Sequence, residues 1–449
     1  MSVPLTESKG GPKKIGAGQL ASTLFTGVGI QFLTIIQGAV LARWLGPEGR
    51  GQLAAAILWP TFFAGIGIVG TGLVLARKAA KSGRTPALSH TAVYVALMTG
   101  GLTTLVAFLA LPWMLTEADA VTRTAALWFL PFILFNHVAL LLSAVDHGAG
   151  DFARLNMIRM LVNPLYLGAI AVLVAIGSRD VVFFAGALAF STVLAAGWRL
   201  AHHIRESGCV GPSLPVWPIF KESWPYALVG VLGMGFTTMD RALLLHLMDS
   251  EELGFYIVAL SAASAAGSIT GATSAISFGM SAQAEHKAGF GSLARIFRLS
   301  FCLWIFCGLG LAVVMPFLLP LIYGPEFGSA VVVSMVLIPS AALAGLAGLL
   351  EEALRAQGRA FVGVGERGLC LVLLLICGLA MVPLWGLVGM AVASVLSQGV
   401  LLLLLALAAR RHFDGARLKM LAPSWADAVE AVARVRSSMD RFRRFSKAA

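Results

Sequence analysis

The sequence predicts an all-α polytopic membrane protein, with about twelve transmembrane helices in two six-helix pseudo-symmetric lobes, plus a C-terminal amphipathic helix. Three observations predict it. The chain is 58% hydrophobic and only 12% charged, with a mean hydropathy of +0.86. A soluble domain carries about 25% charged residues, and a water-facing surface cannot be covered with half as many. The apolar residues also come in continuous runs such as GVLLLLLALA (399–408). Such runs make helices that cross a hydrocarbon core of roughly 30 Å, whereas barrel strands would alternate over about ten residues. Finally, Lys and Arg are sorted between alternate connections.

Apolar runs read against charge clusters place the spans near 16–42, 52–76, 88–112, 124–145, 155–177, 181–201, 224–247, 253–281, 297–319, 329–350, 361–383 and 386–409. Pro112 bounds the third, and Pro316 with Pro320 bounds the ninth, because proline ends or kinks a helix. Residues 1–15 are polar, and the run that follows is too long for a signal-peptide core, so the first helix is expected to be retained.

Numbering the connections alternately from the N-terminal tail puts 26 of the 33 Lys and Arg on one side, 4 on the other (Arg43, Arg50, Arg123, Arg179) and 3 within spans (Arg159, Arg241, Arg367). The richer side is expected to be cytoplasmic, with both termini there. This asymmetry accounts for most of the net charge of +11, which therefore gives no reason to expect a nucleic-acid partner.

The connection after the sixth span contains Gly208, Gly211, Pro212, Pro215 and Pro218 and divides the spans six and six. The expected organisation is an N-terminal lobe (1–205), a cytoplasmic linker (206–222), a C-terminal lobe (223–409) and a basic tail (410–449). A shift of 203 residues places Glu48 on Glu251, Gly51 on Gly254 and Ala56 on Ala259, so PEGRGQLAAAI after the first span echoes SEELGFYIVAL after the seventh. GAGDF (148–152) and AQGRAF (356–361) form a second echo, after spans four and ten. An even number of spans per half gives both repeats the same orientation, about an axis along the membrane normal. Gly46, Glu48, Gly51, Glu251 and Gly254 are read as the framework of a repeated hairpin.

In the tail, Trp425, Val429, Val432, Val435, Met439 and Phe442 recur at three- and four-residue spacing, opposite Arg434, Arg436, Arg441, Arg443 and Arg444. Ser424 and Asp427 after Pro423 read as a capping box. A basic amphipathic helix of this kind suits anionic membrane lipids, or equally the protein's own cytoplasmic loops.

Few motifs point to chemistry. GIGIVG (65–70) matches the dinucleotide fingerprint but lies inside a span with no preceding strand, so small residues packing closely between helices explain it better. No P-loop, HExxH or GxSxG sequence occurs, and no long outer loop is available for a catalytic domain. The cysteines (Cys209, Cys302, Cys307, Cys370, Cys377) form no CxxC pair, which argues against zinc or a disulfide framework. No catalytic residue, metal or cofactor is expected.

Polar residues inside the spans need a reason, because a charge at a helix centre costs about 2.5–3.5 kcal/mol on the insertion scale. Asp240 and Arg241 lie in the seventh span, roughly 10 Å from its outer end at 1.5 Å per residue. As neighbours they point about 100° apart, so one can line a polar cavity while the other pairs with an adjacent helix; an interhelical ion pair is the equally weighted alternative. The 203-residue shift sets Gln37 against Asp240 and Arg43 against His246. The first span also carries Gln19, Ser22, Thr23, Thr26, Gln31 and Thr34, so the first and seventh spans are the candidate cavity lining. Arg159 and Arg367, near the cytoplasmic end, read first as snorkelling cations and second as lining of the substrate path. Glu351, Glu352 and Glu366 read as solvated loop ends, with proton or cation binding as the alternative.

LARWLGPEGRGQLAAAILW (41–59) and MDRALLLHLMDSEELGFYIVALSAAS (239–264) together resemble the polysaccharide and O-antigen flippase family of the multidrug/oligosaccharidyl-lipid/polysaccharide transporter superfamily. LIYGPEFGSAVVV (321–333) and LRAQGRAF (354–361) resemble its later segments in the same order. The resemblance implies two six-helix lobes around a central cavity, alternating access, and a cargo of oligosaccharide on a polyprenyl pyrophosphate, moved to the outer leaflet of the inner membrane. Asp240 matches an acidic position common early in the family's second half. The expected partners are lipid-linked oligosaccharide, anionic membrane lipids and polysaccharide assembly proteins. The rival readings are a multidrug/cation antiporter of the same superfamily, a membrane glycosyltransferase or polymerase, and a scaffold acting through the basic tail.

Overall fold

The computed structural model describes residues 17–264, 290–356, 361–413, 417–431 and 433. Every regular element among the described residues is helical. In hydrocarbon a backbone N–H or C=O has no water to bond, and a helix satisfies both within one segment. The elements are α1 (Ala17–Gly67), α2 (Thr71–Ser82), α3 (Pro86–Met114), α4 (Ala120–Phe129), α5 (Pro131–Gly148), α6 (Phe152–Ala175), α7 (Val181–Ser207), α8 (Val216–Leu247), α9 (250–264), α10 (Phe290–Tyr323), α11 (Ala330–Ala356), α12 (Val364–His412) and a short α13 (425–431). By contact the chain divides into two compact units, Met1–Thr238 and Met239–Ala449. The boundary falls inside α8, and only 208–215 separates α7 from α8.

Nine stretches of the described residues are long and apolar enough to cross a membrane. Two of them hold two passes each. At 1.5 Å per residue, the 51 residues of α1 would run about 76 Å if straight, more than twice the hydrocarbon core. The chain bends at Gly46 (φ 70°, ψ −178°), a region open to glycine alone. The 49-residue α12 bends in the same way at Gly386 (φ 56°, ψ −137°). The eighth expected span begins as α9, and its remainder lies outside the described residues.

The expected hairpin framework divides into two roles. Only Gly46 makes the turn; Gly51 and Gly254 are buried inside the helices that follow, and Glu48 and Glu251 are exposed. The 203-residue register sets Gly46 against Asp249. Asp249 makes the second turn by capping α9, its carboxylate accepting the Glu252 N–H at 2.9 Å. The GIGIVG stretch lies where α1 stops and α2 begins, with Val69 at φ 51° and Gly70 at φ 70°. The sequence reading missed this break, which separates the second pass from an amphipathic α2 that buries Val74, Leu75 and Ala79. Those three pack with Leu88, Val95, Val138, Leu141 and Val145 in one apolar cluster.

In the first unit, the connections after the first, third and fifth spans meet. Trp44 Nε1 donates to the Ser178 carbonyl at 2.5 Å, the Arg179 guanidinium sits 5.5 Å over the same indole, and Gln52 donates to Asp119 at 2.6 Å. The connections after the second, fourth and sixth spans meet at an ion network. Arg199 holds Asp146 bidentately (2.9 and 2.8 Å), and Arg84 reaches Asp146 at 3.5 Å and Glu206 at 3.3 Å. Arg154 holds Glu206 through two 2.9 Å bonds and Asp151 at 3.3 Å. Arg199 therefore lies inside α7, 1% exposed, and not in the loop to which the charge count assigned it. The proline- and glycine-rich connection is strapped to α3, where His90 Nε2 lies 3.2 Å from the Gly208 carbonyl and the Leu214 N–H donates to Thr91 at 2.8 Å.

The second unit repeats this sorting. Phe255 meets Phe327 edge-on at 5.8 Å and Met248 lies against Gly386, joining the connections after spans seven, nine and eleven. Away from them, Phe290 meets Phe413 at 5.6 Å. Arg298 donates to Asp427 at 2.9 Å and to the Met420 carbonyl at 2.6 Å. The expected capping box is present: the Ser424 hydroxyl and N–H both donate to Asp427 (2.6 and 2.8 Å), and the Asp427 N–H returns to Ser424 Oγ at 3.3 Å. Those Ser424 bonds, with Arg298 beside them, hold the Asp427 carboxyl below the usual carboxylate range. The rest of the expected amphipathic helix, from 434 on, lies outside the described residues.

Two outcomes follow for stability in detergent. Gly46→Val should destabilise the protein by about 1–3 kcal/mol, because its backbone region excludes a side chain. Gly101→Ala, on an open helical face, should leave the thermal midpoint unchanged. Asp146→Ala should cost about 3–5 kcal/mol by leaving Arg199 buried and unpaired, and Asp146→Leu combined with Arg199→Met should recover most of it. Thermal unfolding of the purified variants measures each.

Candidate functional site

The structure brings together the two in-span charges of the second unit. Asp240 is 9% exposed, and its Oδ1 accepts the Arg241 N–H at 2.8 Å and lies 3.5 Å from Arg241 Nε. Its Oδ2 accepts the Tyr256 hydroxyl of α9 at 3.0 Å, and Ser394 of α12 interacts with the same phenol. The carboxylate is thus turned toward a neighbouring helix, while the Arg241 side chain is 29% exposed. Asp240 ties α8 to α9 through the Tyr256 hydroxyl, its contact with Arg241 lies within α8, and Arg241 is the more open partner. Tyr256 is fully buried and was missed as a site residue, since a phenol aligned with Leu53 carries no polar signal in the repeat.

In the first unit, Gln37 is buried and its Nε2 donates to the Asn163 carbonyl of α6 at 2.6 Å. Gln37 and Asp240, matched by the 203-residue register, therefore play the same part: each is a buried polar group on the first helix of its half, bonded to a neighbouring helix. Arg43 and His246, matched by the same register, are both exposed. Gln31 is half-buried and Arg159 exposed. Other polar groups of the first span are drawn into contacts of their own, Ser22 and Thr23 with Asn156 (3.4 and 3.2 Å) and Thr34 with the Ile30 carbonyl.

Arg367 differs from its sequence reading as a snorkelling cation. Its guanidinium forms a bidentate ion pair with Glu351, at 3.3 Å through Nε and closer through Nη2. Glu351 is 4% exposed, not a solvated loop end, because α11 and α12 close over it. Glu366 caps α12 by accepting the Gly363 N–H at 3.0 Å. Each unit thus contains a buried carboxylate near the end of a span, paired with an arginine from another helix: Asp146 with Arg199, and Glu351 with Arg367. The available sequence signal was an acidic residue beside an apolar run, and its partner, about 53 residues away in the first case, could not be read from spacing.

The arrangement offers partly open guanidinium groups suited to bidentate binding of carboxylate or phosphate oxygens. Among the described residues no cluster of three or more His, Cys, Asp or Glu is placed to hold a metal.

Comparison with known proteins gives the fold and the family. The structure is similar to the lipid II flippase MurJ in an inward closed conformation, with a TM-score of 0.74 and 11% identity, covering 93% of this chain and 91% of that one. It is similar to the MATE multidrug transporter DinF-BH (TM-score 0.63, 15% identity, covering 91% and 98%). It is also similar to an inward-facing multidrug resistance MATE family transporter of the MOP superfamily (TM-score 0.62, 14% identity, covering 90% and 98%). No curated protein sequence matches the chain. The sequence model described as polysaccharide biosynthesis protein matches residues 17–278. With that match over more than half its length, the chain belongs to the polysaccharide biosynthesis protein family, and its fold is the one seen in MurJ and in the MATE structures.

Proposed function

We propose that the chain is a flippase that carries polyprenyl-pyrophosphate-linked oligosaccharide from the cytoplasmic to the outer leaflet of the inner membrane by alternating access. Its product would feed a cell-surface polysaccharide such as O-antigen, lipopolysaccharide or exopolysaccharide. Family membership carries this reading, and the likeness in fold to a lipid II flippase supports it. Arg241 is proposed to bind pyrophosphate oxygens, with Asp240 and Tyr256 fixing where its guanidinium sits. Arg43, His246, Arg159 and Gln31 are proposed to line the route. Gln37 and Arg367 act behind it, by holding α1 on α6 and α12 on α11. Polysaccharide assembly proteins are proposed partners. A multidrug/cation antiporter is the second reading, favoured by the MATE neighbours. Asp240 is already engaged by Tyr256 and Arg241, which makes it a poor fit for that role.

Deleting the gene should make polyprenyl-linked glycan accumulate in the cytoplasmic leaflet. Accumulation in the outer leaflet would instead indicate a polymerase, and unchanged glycan with raised drug sensitivity would indicate the antiporter. In the deletion strain, Arg241→Gln and Asp240→Asn should insert normally but restore translocation about tenfold or more slowly, the loss of one charge-assisted contact. Wild-type rates in both would remove these residues from the route. A reporter fused after Ala449 should read as cytoplasmic, and a periplasmic signal would invert the proposed orientation.

A further inference from the structure

The C-terminal segment docks on the protein and still leaves apolar surface uncovered. Arg298 and Arg295 of α10 hold Asp427 and Glu430 of α13, each at 2.9 Å. Both acidic residues of α13 are thereby used. Ala431 is buried, while Trp425 is 84% and Val429 55% exposed, one helical turn apart. Between α13 and α10 runs an apolar groove of about 220 Å³, lined by Cys302, Leu303, Ile305, Phe306, Leu309, Ala428 and Ala431. That exceeds the roughly 150 Å³ of an apolar cavity able to take up benzene. Phe306 and Leu309 are 60% and 63% exposed. They lie on a helix apolar enough to span the membrane, so the groove continues the lipid-facing surface of α10. Exposed cations surround the segment in sequence: Arg410 and Arg411 at the end of α12, and Arg417 and Lys419 in the connection to α13.

We infer that α13 is an interfacial clip that holds one acyl chain of an anionic phospholipid in the groove against α10, with Arg410, Arg411, Arg417 and Lys419 attracting the headgroup. The occupant is lipid because the groove opens onto a membrane-spanning face and its walls carry no charge. It is anionic because Arg410, Arg411, Arg417 and Lys419 are exposed, while Asp427 and Glu430 of α13 are paired with arginines of α10, the arrangement favoured at a negatively charged leaflet. Trp425, 84% exposed on α13, adds an indole ring, a side chain enriched at membrane–water interfaces. This inference stands on the membrane-spanning fold alone and does not depend on the cargo.

The test uses the purified full-length protein in mild detergent, titrated with phosphatidylglycerol or phosphatidylcholine and read by native mass spectrometry. At least one phosphatidylglycerol should be retained preferentially. Ala431→Phe and Cys302→Phe, which fill the groove from opposite walls, should each weaken that retention about tenfold, as expected for displacing roughly two buried methylenes. Because Ala431→Phe could loosen α13, Cys302→Phe tests the groove from α10. Replacing Arg410, Arg411, Arg417 and Lys419 with Gln should equalise the two lipids. Equal retention of both lipids by the wild type, or undiminished phosphatidylglycerol retention in Cys302→Phe, would overturn the proposal. Undiminished preference in the four-Gln variant would also overturn it and would point the basic segment toward a protein partner.

Discussion

Hydrocarbon offers no hydrogen bond to a charge, and this constraint organises the rest of the structure. A charge on this chain must either reach an end of a span or find a partner within one. In the first unit the result is a line of three arginines and three carboxylates joining the connections after spans two, four and six. At the other end of the same helices the contacts are an indole, a guanidinium lying over it and single polar bonds. The second unit shows the same division. Ion pairs join Arg295 and Arg298 to the tail segment, while two phenyl rings and a methionine close the opposite connections.

Pairing has a physical consequence for how the helices can move. A buried carboxylate with a bidentate arginine is costly to separate, because the partner left behind has no water. Asp146–Arg199 and Glu351–Arg367 therefore behave as fixed joints between helices. Asp240–Arg241 is looser, with a 3.5 Å separation and a partly exposed guanidinium. Its carboxylate also accepts the Tyr256 hydroxyl, and its arginine is more open than Arg199 or Arg367.

Much of the candidate site was legible in the repeat. Gln37 and Asp240 share a register position and share a role, as do the exposed Arg43 and His246. The partners were not legible. Asn163, Tyr256 and Glu351 lie on other helices, and nothing in their local sequence marks which polar group they meet. Arg199 was misplaced for the same reason: an arginine at the end of an apolar run looks like a loop charge until a carboxylate from α5 is set beside it.

The sequence by itself determined the membrane-length apolar runs, the helical class and the family, because each depends on composition, run length and order along the chain. It also determined the Ser424–Asp427 cap, whose partners lie three residues apart. Tertiary structure decided which glycine turns a hairpin and which only packs, where the second pass breaks at Val69 and Gly70, and which charges are paired. Those outcomes depend on distances between helices far apart in the chain, and one-dimensional spacing carries no record of them.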